Sequence, residues 1–152
     1  LAMLRFILLT CLAVTAAIPA RADDMIAVRS GRPVTETLDR LQAVVIAGGF
    51  FLVGRVRHSE AAMGVGLSLR PTELMIFGRP QGGTPIMVCN QRAGIDLPLR
   101  ALAWQDEAGQ VWLGMIDPQS LKPRWDLPAA CDAPLAAMEA GVRRFLAEAT
   151  AP

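Results

Sequence analysis

Metal-binding side chains are scarce, since the sequence holds one histidine, His58, and three cysteines. Zinc and haem sites need several converging donors, and a lone imidazole with distant thiols supplies none of the usual spacings, so no metal or cofactor is expected. An excess of one charge is lacking too: 15 basic residues face 14 acidic ones, a net of +1. Such a balance gives no electrostatic grip on nucleic acid or anionic lipid. The glycine-rich stretch Gly78–Thr84 lacks the Lys-Ser/Thr pair of a Walker loop and the glycine spacing of a dinucleotide fingerprint, which argues against a nucleotide.

What is present begins with a leader-like N-terminus. Met3, Leu4 and Arg5 form a short positive region, Phe6 to Ile18 is an apolar stretch too short to span a bilayer, and Ala20-Arg21-Ala22 has the small-x-small form of a cleavage site. Residues 1–22 therefore read as a signal peptide and 23–152 as one exported domain, periplasmic or secreted, with no stable membrane span once the leader is removed. An uncleaved anchor is the alternative. Cys11 follows Leu9 and Thr10 and makes a poor lipobox. Cleavage would leave Cys89 and Cys131 in an oxidising compartment, either paired or as two buried thiols.

Hydrophobic periodicity orders the remainder. Met25–Ser30 reads as a strand; "TETLDRLQAVVIAGG" reads as a helix with Leu38, Leu41, Val45 and Ile46 inward, Thr35 as cap and Gly48-Gly49 as stop. "FFLVGRVRH" reads as a strand with Phe50, Leu52, Gly54, Val56 and His58 in one row and Phe51, Val53, Arg55 and Arg57 in the other. Ser59 is a candidate N-cap for the next short helix. Leu74–Phe77 is a buried strand, Gly78–Thr84 a loop, and Thr84-Pro85 the start of a helix carrying Cys89. Leu99–Trp104 and Val111–Ile116 flank a turn and form an antiparallel hairpin. "PQSLKPRW" holds at most one helical turn. After Asp132 and Pro134, the stripe of Leu135, Met138, Val142, Phe145 and Leu146 makes a C-terminal helix that covers one sheet face. The three tryptophans near the hairpin and the scattered methionines read as packing residues.

The blocks "ETLDRL", "GRVRHSEAA", "LRPTELMIFGRPQGGTPIM" and "DLPLRALAWQDEAGQVWLGMIDP" resemble, in that order, the domain-of-unknown-function family 302 over roughly Val34 to Pro118. The resemblance implies an α+β fold of the TATA-binding-protein-like type, a single antiparallel sheet with helices packed on one face, and implies no settled activity. Arg79 stands where the family pattern carries Asn. The tail with Cys131 lies beyond the resemblance.

Three functional classes follow. The first is a binding or interaction module for a small anion or an envelope protein, with His58, Arg70, Arg79, Gly82, Gly83, Thr84 and Asp96 as candidate contacts around the glycine-rich loop. The second is an enzyme in which His58 acts as acid or base oriented by Asp96, or Cys89 is a thiol nucleophile. Against these stand blander duties: His58 closing the rim of the core, and Asp96 bracing the chain before Leu97-Pro98. The third is a structural homo-oligomer associating through sheet edges or through Phe51 and Val53.

Overall fold

The computed structural model describes residues 24–152, so the expected leader and Cys11 lie outside the described residues. Five strands, β1 (Met25–Ser30), β2 (Phe51–Arg57), β3 (Thr72–Gly78), β4 (Leu99–Gln105) and β5 (Val111–Ile116), alternate with five helices. The helices are α1 (Val34–Ala47), α2 (His58–Gly64), α3 (Pro80–Cys89), α4 (Leu121–Trp125) and α5 (Asp132–Thr150), with short 3-10 turns at 91–96, 118–120 and 129–131. The strands form one sheet in the order β1-β5-β4-β3-β2, antiparallel throughout. This is the expected α+β class.

Alternation along the strands decides which face is covered. Met75, Phe77, Ala101, Ala103, Leu113 and Met115 point to one side and are buried against Leu38, Leu41 and Val45 of α1 and Val142, Phe145 and Leu146 of α5. Phe50, Phe77 and Phe145 meet edge to face with centroids 5.0 to 6.0 Å apart. Ile46, expected in the inward stripe of α1, is 51% exposed. One residue beyond Val45 the helix has turned about 100°, which carries that side chain off the core.

Strand β2 departs from simple alternation. Leu52 pairs with Phe77 but Gly54 pairs with Ile76, so Val53 is an extra residue, a bulge. Past a bulge the parity inverts. Arg55 and Arg57 thereby join the helix-covered side opposite Met75 and Glu73, while Gly54 and Val56 turn to the open side. The expected row Phe50, Leu52, Gly54, Val56, His58 is broken at that point. The inversion has an electrostatic use: Glu73 is 3% exposed, and Arg55 Nε donates to it at 2.8 Å while its guanidinium also pairs with Asp39 of α1. Thr35 Oγ1 donates to the same carboxylate at 3.2 Å. That contact, rather than a cap, occupies Thr35, and α1 starts after Pro33 with no side-chain cap. Ser59 likewise does not cap α2, which begins one residue earlier at His58; its hydroxyl accepts from the Thr72 amide at 3.0 Å.

A second apolar cluster lies off one end of the sheet. Ile86 and Ala93 pack there with Leu121, Leu127, Cys131 and Leu135. Cys89 and Cys131 are joined, with sulfurs 2.03 Å apart across a sequence separation of 42 residues. Closing a loop of that length removes denatured-state entropy worth about 4 kcal/mol in the chain-entropy account. Reduction, or the Cys89→Ser/Cys131→Ser pair, should lower the urea-unfolding free energy by up to that amount, and the native protein should show no titratable thiol at these two positions.

The β4–β5 turn is held by Asp106. Its Oδ2 accepts from Trp112 Nε1 at 2.8 Å, and Oδ1 accepts from the amides of Ala108 and Gln110. The indole hydrogen bond, then those of the two amides, hold this carboxyl below the usual aspartate range. A depressed folded-state value means that the unfolded chain protonates first as pH falls, so the contribution is complete above the ordinary aspartate pKa and disappears below it. Asp106→Asn should therefore lower Tm at neutral pH, with the gap to wild type shrinking below about pH 4 in thermal melts.

Candidate functional site

A cleft of about 670 Å³ opens at the end of the sheet where β2 begins, β3 ends and β4 begins. Its floor is Phe50, Leu99 and Phe145, and its walls come from α3 and from the Pro134–Phe145 stretch of α5. The volume lies within the range of small-molecule sites. No carboxylate lines it; the two charges that do are Arg79 and Arg144. Both are exposed at the rim, each over an aromatic ring, Arg79 at 4.6 Å from the centroid of Phe50 and Arg144 at 5.2 Å from that of Phe145. Those two rings touch, 5.0 Å apart. Two guanidinium groups thus flank one opening of an otherwise apolar hollow.

The glycine-rich segment has a different form from the expected loop. Helix α3 starts at Pro80, with extended Arg79 as its cap position, so Gly82, Gly83 and Thr84 lie inside its first turns and Pro85 in its interior. Pro80 at the first helical position is the cause, because its fixed φ suits a helix start and its missing N–H costs nothing there. The amides of Gly82 and Gly83 are turned onto the Arg79 carbonyl at 3.0 and 3.3 Å. They form helix rather than a free anion cradle. Asn90 then ends α3, and its side chain caps the 3-10 turn that follows, so "QRAG" is not a continuation of the helix.

Glycine is required at Gly78 for space. A Cβ there would fall 2.9 Å from Pro98 Cβ, so the end of β3 and the Leu97–Leu99 segment meet at the cleft as closely as backbone allows.

The remaining sequence candidates separate. Arg79, Gly82, Gly83 and Thr84 all line the cleft. His58, half-buried at the start of α2, lies at the opposite end of β2. The register Arg57↔Glu73 marks that end and Leu99↔Phe77 the other, so four residues of β3, roughly 13 Å, separate two groups that both lie further out. His58 and Asp96 do not meet, and the acid/base pair is not assembled. Asp96 instead accepts from Trp125 Nε1 at 2.7 Å and pairs with Arg100 at 3.3 Å and Arg124 at 3.1 Å. It ties α4 to the start of β4, which is the bracing duty. Arg70, more than half exposed, donates to the Gln105 carbonyl at 3.2 Å, again far from the cleft. Cys89 is in the disulfide and offers no thiol nucleophile. Among the described residues, no three His, Cys, Asp or Glu side chains are grouped as a metal set.

Sequence reasoning missed Arg144 and the apolar wall of α5. Arg144 reads as a dipole partner near a helix end; only the position of α5 against β2 reveals it beside Arg79. The small residues Ala137, Ala140 and Gly141, which make room for the cleft, are the signal that was available.

The fold and the cleft together define a five-stranded α+β domain with two helices on one sheet face and an apolar site at its end. The model of the family described as domain of unknown function DUF302 matches residues 26–146, and the chain belongs to that family. It is 43% identical over 117 residues to "Fluoride-specific ion channel FluC 1" of Brucella suis biovar 1 (strain 1330), covering 77% of this chain and 46% of that protein. "Fluoride-specific ion channel FluC 2" of Brucella melitensis biotype 1 is also 43% identical over 117 residues, which are 43% of its length. The chain spans less than half the length of these relatives. The crystal structure of an uncharacterized conserved DUF302 protein from Bacillus stearothermophilus superposes with a TM-score of 0.76 at 22% identity, covering 84% of this chain and 99% of that one. That likeness is one of fold.

Two glycines give a matched test of the site's framework. Gly78→Ala should cost about 1–3 kcal/mol through its collision with Pro98. A Cβ at Gly82 meets nothing within 4 Å, so Gly82→Ala should be neutral or stabilising by up to about 1 kcal/mol. Urea titrations of both variants check the pair.

Proposed function

We propose that this chain is a binding module whose cleft takes a small, mainly apolar molecule bearing one anionic group. The observation that carries the reading is the pairing of an apolar volume of about 670 Å³ with Arg79 and Arg144 as its only lining charges. An apolar body gains from leaving water, about 25 cal/mol per Å² of buried area. An anion at the rim gains from two exposed guanidiniums and keeps contact with solvent. A bare fluoride ion fits poorly, because a strongly hydrated small ion gains nothing from apolar walls. The named activity of the Brucella relatives is thus not what this cleft favours.

The cellular setting belongs to the same proposal. The leader-like N-terminus and the joined Cys89 and Cys131 favour an exported, oxidising location, in the periplasm or outside the cell. No helix among the described residues is long and apolar enough to cross a membrane. An envelope ligand or protein partner is the natural counterpart.

Thermal unfolding in the presence of decanoate, decanol, decylamine, phosphate and fluoride tests the reading. Decanoate should stabilise most, decanol less, and the inorganic anions not at all; a ligand at 100 times its Kd adds about 2.7 kcal/mol. Space at Gly141 is open, with nothing within 4 Å of a built Cβ, so Gly141→Leu should fill the cleft and abolish the shift, with an unliganded Tm at or above that of wild type because a helix-interior glycine is replaced by a helix former. Arg79→Ala with Arg144→Ala should erase the preference for decanoate over decanol. A flat response to every compound, or a response that survives Gly141→Leu, would remove the proposal.

A further inference from the structure

The cleft has a direction. Cys89 ends α3 and Cys131 immediately precedes α5, so the disulfide joins the two helical walls at one end. Leu97 and Met138 line the cleft and also pack against the small cluster around Ile86 and Leu135, which closes that end. Arg79 stands at the opposite end of α3, and Arg144 in the second half of α5, each roughly 15 to 20 Å from the disulfide at helical rise. Both charges therefore occupy the end of the hollow away from the covalent link. The facing positions of the two walls are small. Helix α3 presents Gly82 and Gly83, and α5 presents Ala137, Ala140 and Gly141. A Cβ built at Gly82 or at Gly141 meets no atom within 4 Å. With the helices fixed by the disulfide at one end and by the sheet core at the other, small residues on both walls leave a gap that is wide as well as long.

Length and volume together define the shape of an occupant. From Pro134 to Arg144 the α5 wall runs about 15 Å, which an extended chain covers with about twelve atoms at roughly 1.2 Å per bond. The volume of about 670 Å³ holds about 22 groups at the roughly 30 Å³ that a water-sized group occupies. The hollow is thus nearly two chains wide along its length. We infer that, within the binding reading above, on which this rests, the ligand is a fused-ring carboxylate of about 20 heavy atoms, its carboxylate at Arg79 and Arg144 and its ring body directed toward the disulfide. The lining at the charged end is aromatic, with Phe50, Phe51 and Phe145. Phe50 and Phe145 stand 87° apart, so between them they offer a flat body both a ring face and a ring edge, the two arrangements in which aromatic rings pack well. Rigidity adds to the preference. A fused-ring body has few torsions to order on binding, whereas one long chain, or the two chains of a phospholipid, must give up many.

Fluorescence titration of the purified protein with 1-pyrenebutyrate, followed by displacement with abietate and with hexadecanoate at concentrations where each is monomeric, tests the inference. Both ring acids should bind about tenfold or more tightly than hexadecanoate, although the straight chain carries a comparable apolar surface. The preference would then report shape rather than hydrophobicity. Gly82→Ala, a change that adds one methyl to the α3 wall and that the fold accommodates, should weaken both ring acids about threefold or more and leave hexadecanoate unchanged. Arg79→Ala with Arg144→Ala should erase the preference for 1-pyrenebutyrate over 1-pyrenebutanol. Hexadecanoate binding as tightly as the ring acids, or an equal loss of both shapes in Gly82→Ala, overturns the inference and leaves the binding reading standing. Displacement by a short-chain phosphatidate in preference to abietate overturns it in favour of a two-chain lipid. If 1-pyrenebutyrate, abietate and hexadecanoate all fail to bind, the inference falls together with the reading beneath it.

Discussion

The disulfide between Cys89 and Cys131 fixes the end of α3 to the start of α5, and the cleft is the space those two helices leave between them. Helix α5 has 19 residues, about 28 Å at helical rise, against roughly 23 Å for a seven-residue strand. It therefore overshoots the sheet. Its C-terminal half, through Val142, Phe145 and Leu146, belongs to the sheet core, while Leu135 near its start belongs to the small cluster with Ile86, Leu121 and Leu127. Between the two clusters the helix presents Ala137, Ala140 and Gly141, side chains too small to fill the gap. The second cluster has few large residues, and the covalent link holds it where packing alone would be slender.

Electrostatics follow the same economy of placement. Glu73 would be a costly residue in a strand interior, where an unpaired buried carboxylate costs about 3–5 kcal/mol. The bulge at Val53 turns Arg55 to the same side and leaves Asp39 and Thr35 within reach. The same single-residue insertion places Val56 on the open face beside Leu74. One irregularity thus neutralises a buried charge on the covered side and extends an apolar surface on the other.

Much of this was legible in the order of residues, and the losses have specific physical causes. The β4–β5 hairpin, the C-terminal helix and β3 follow from period-2 and period-3.6 patterns that nothing in the fold disturbs. The faces of β2 were not legible, because a bulge changes parity without changing composition. The start of α3 was misplaced by five residues because two prolines, Pro80 and Pro85, compete for the first helical position, and two glycines between them read as a loop. Of the site, Arg79, Gly82, Gly83 and Thr84 were found from a local motif. His58, Arg70 and Asp96 were not part of it, since sequence proximity to conspicuous turns carries no information about which end of a sheet a turn occupies. Arg144 came to the cleft through tertiary packing alone.

The two surfaces of the sheet divide the labour of burial unequally. On the covered side, Phe77, Phe145 and their neighbours are wholly withdrawn from water, so the floor of the cleft is part of the main core. A ligand seated there would complete that core, coupling occupancy directly to domain stability. The open side shares strands with the cleft but few side chains, because alternate residues of β3 and β4 point opposite ways. The two surfaces adjoin at Phe51 and Gly78, which line the cleft, and at Gly78 there is no room for a Cβ beside Pro98.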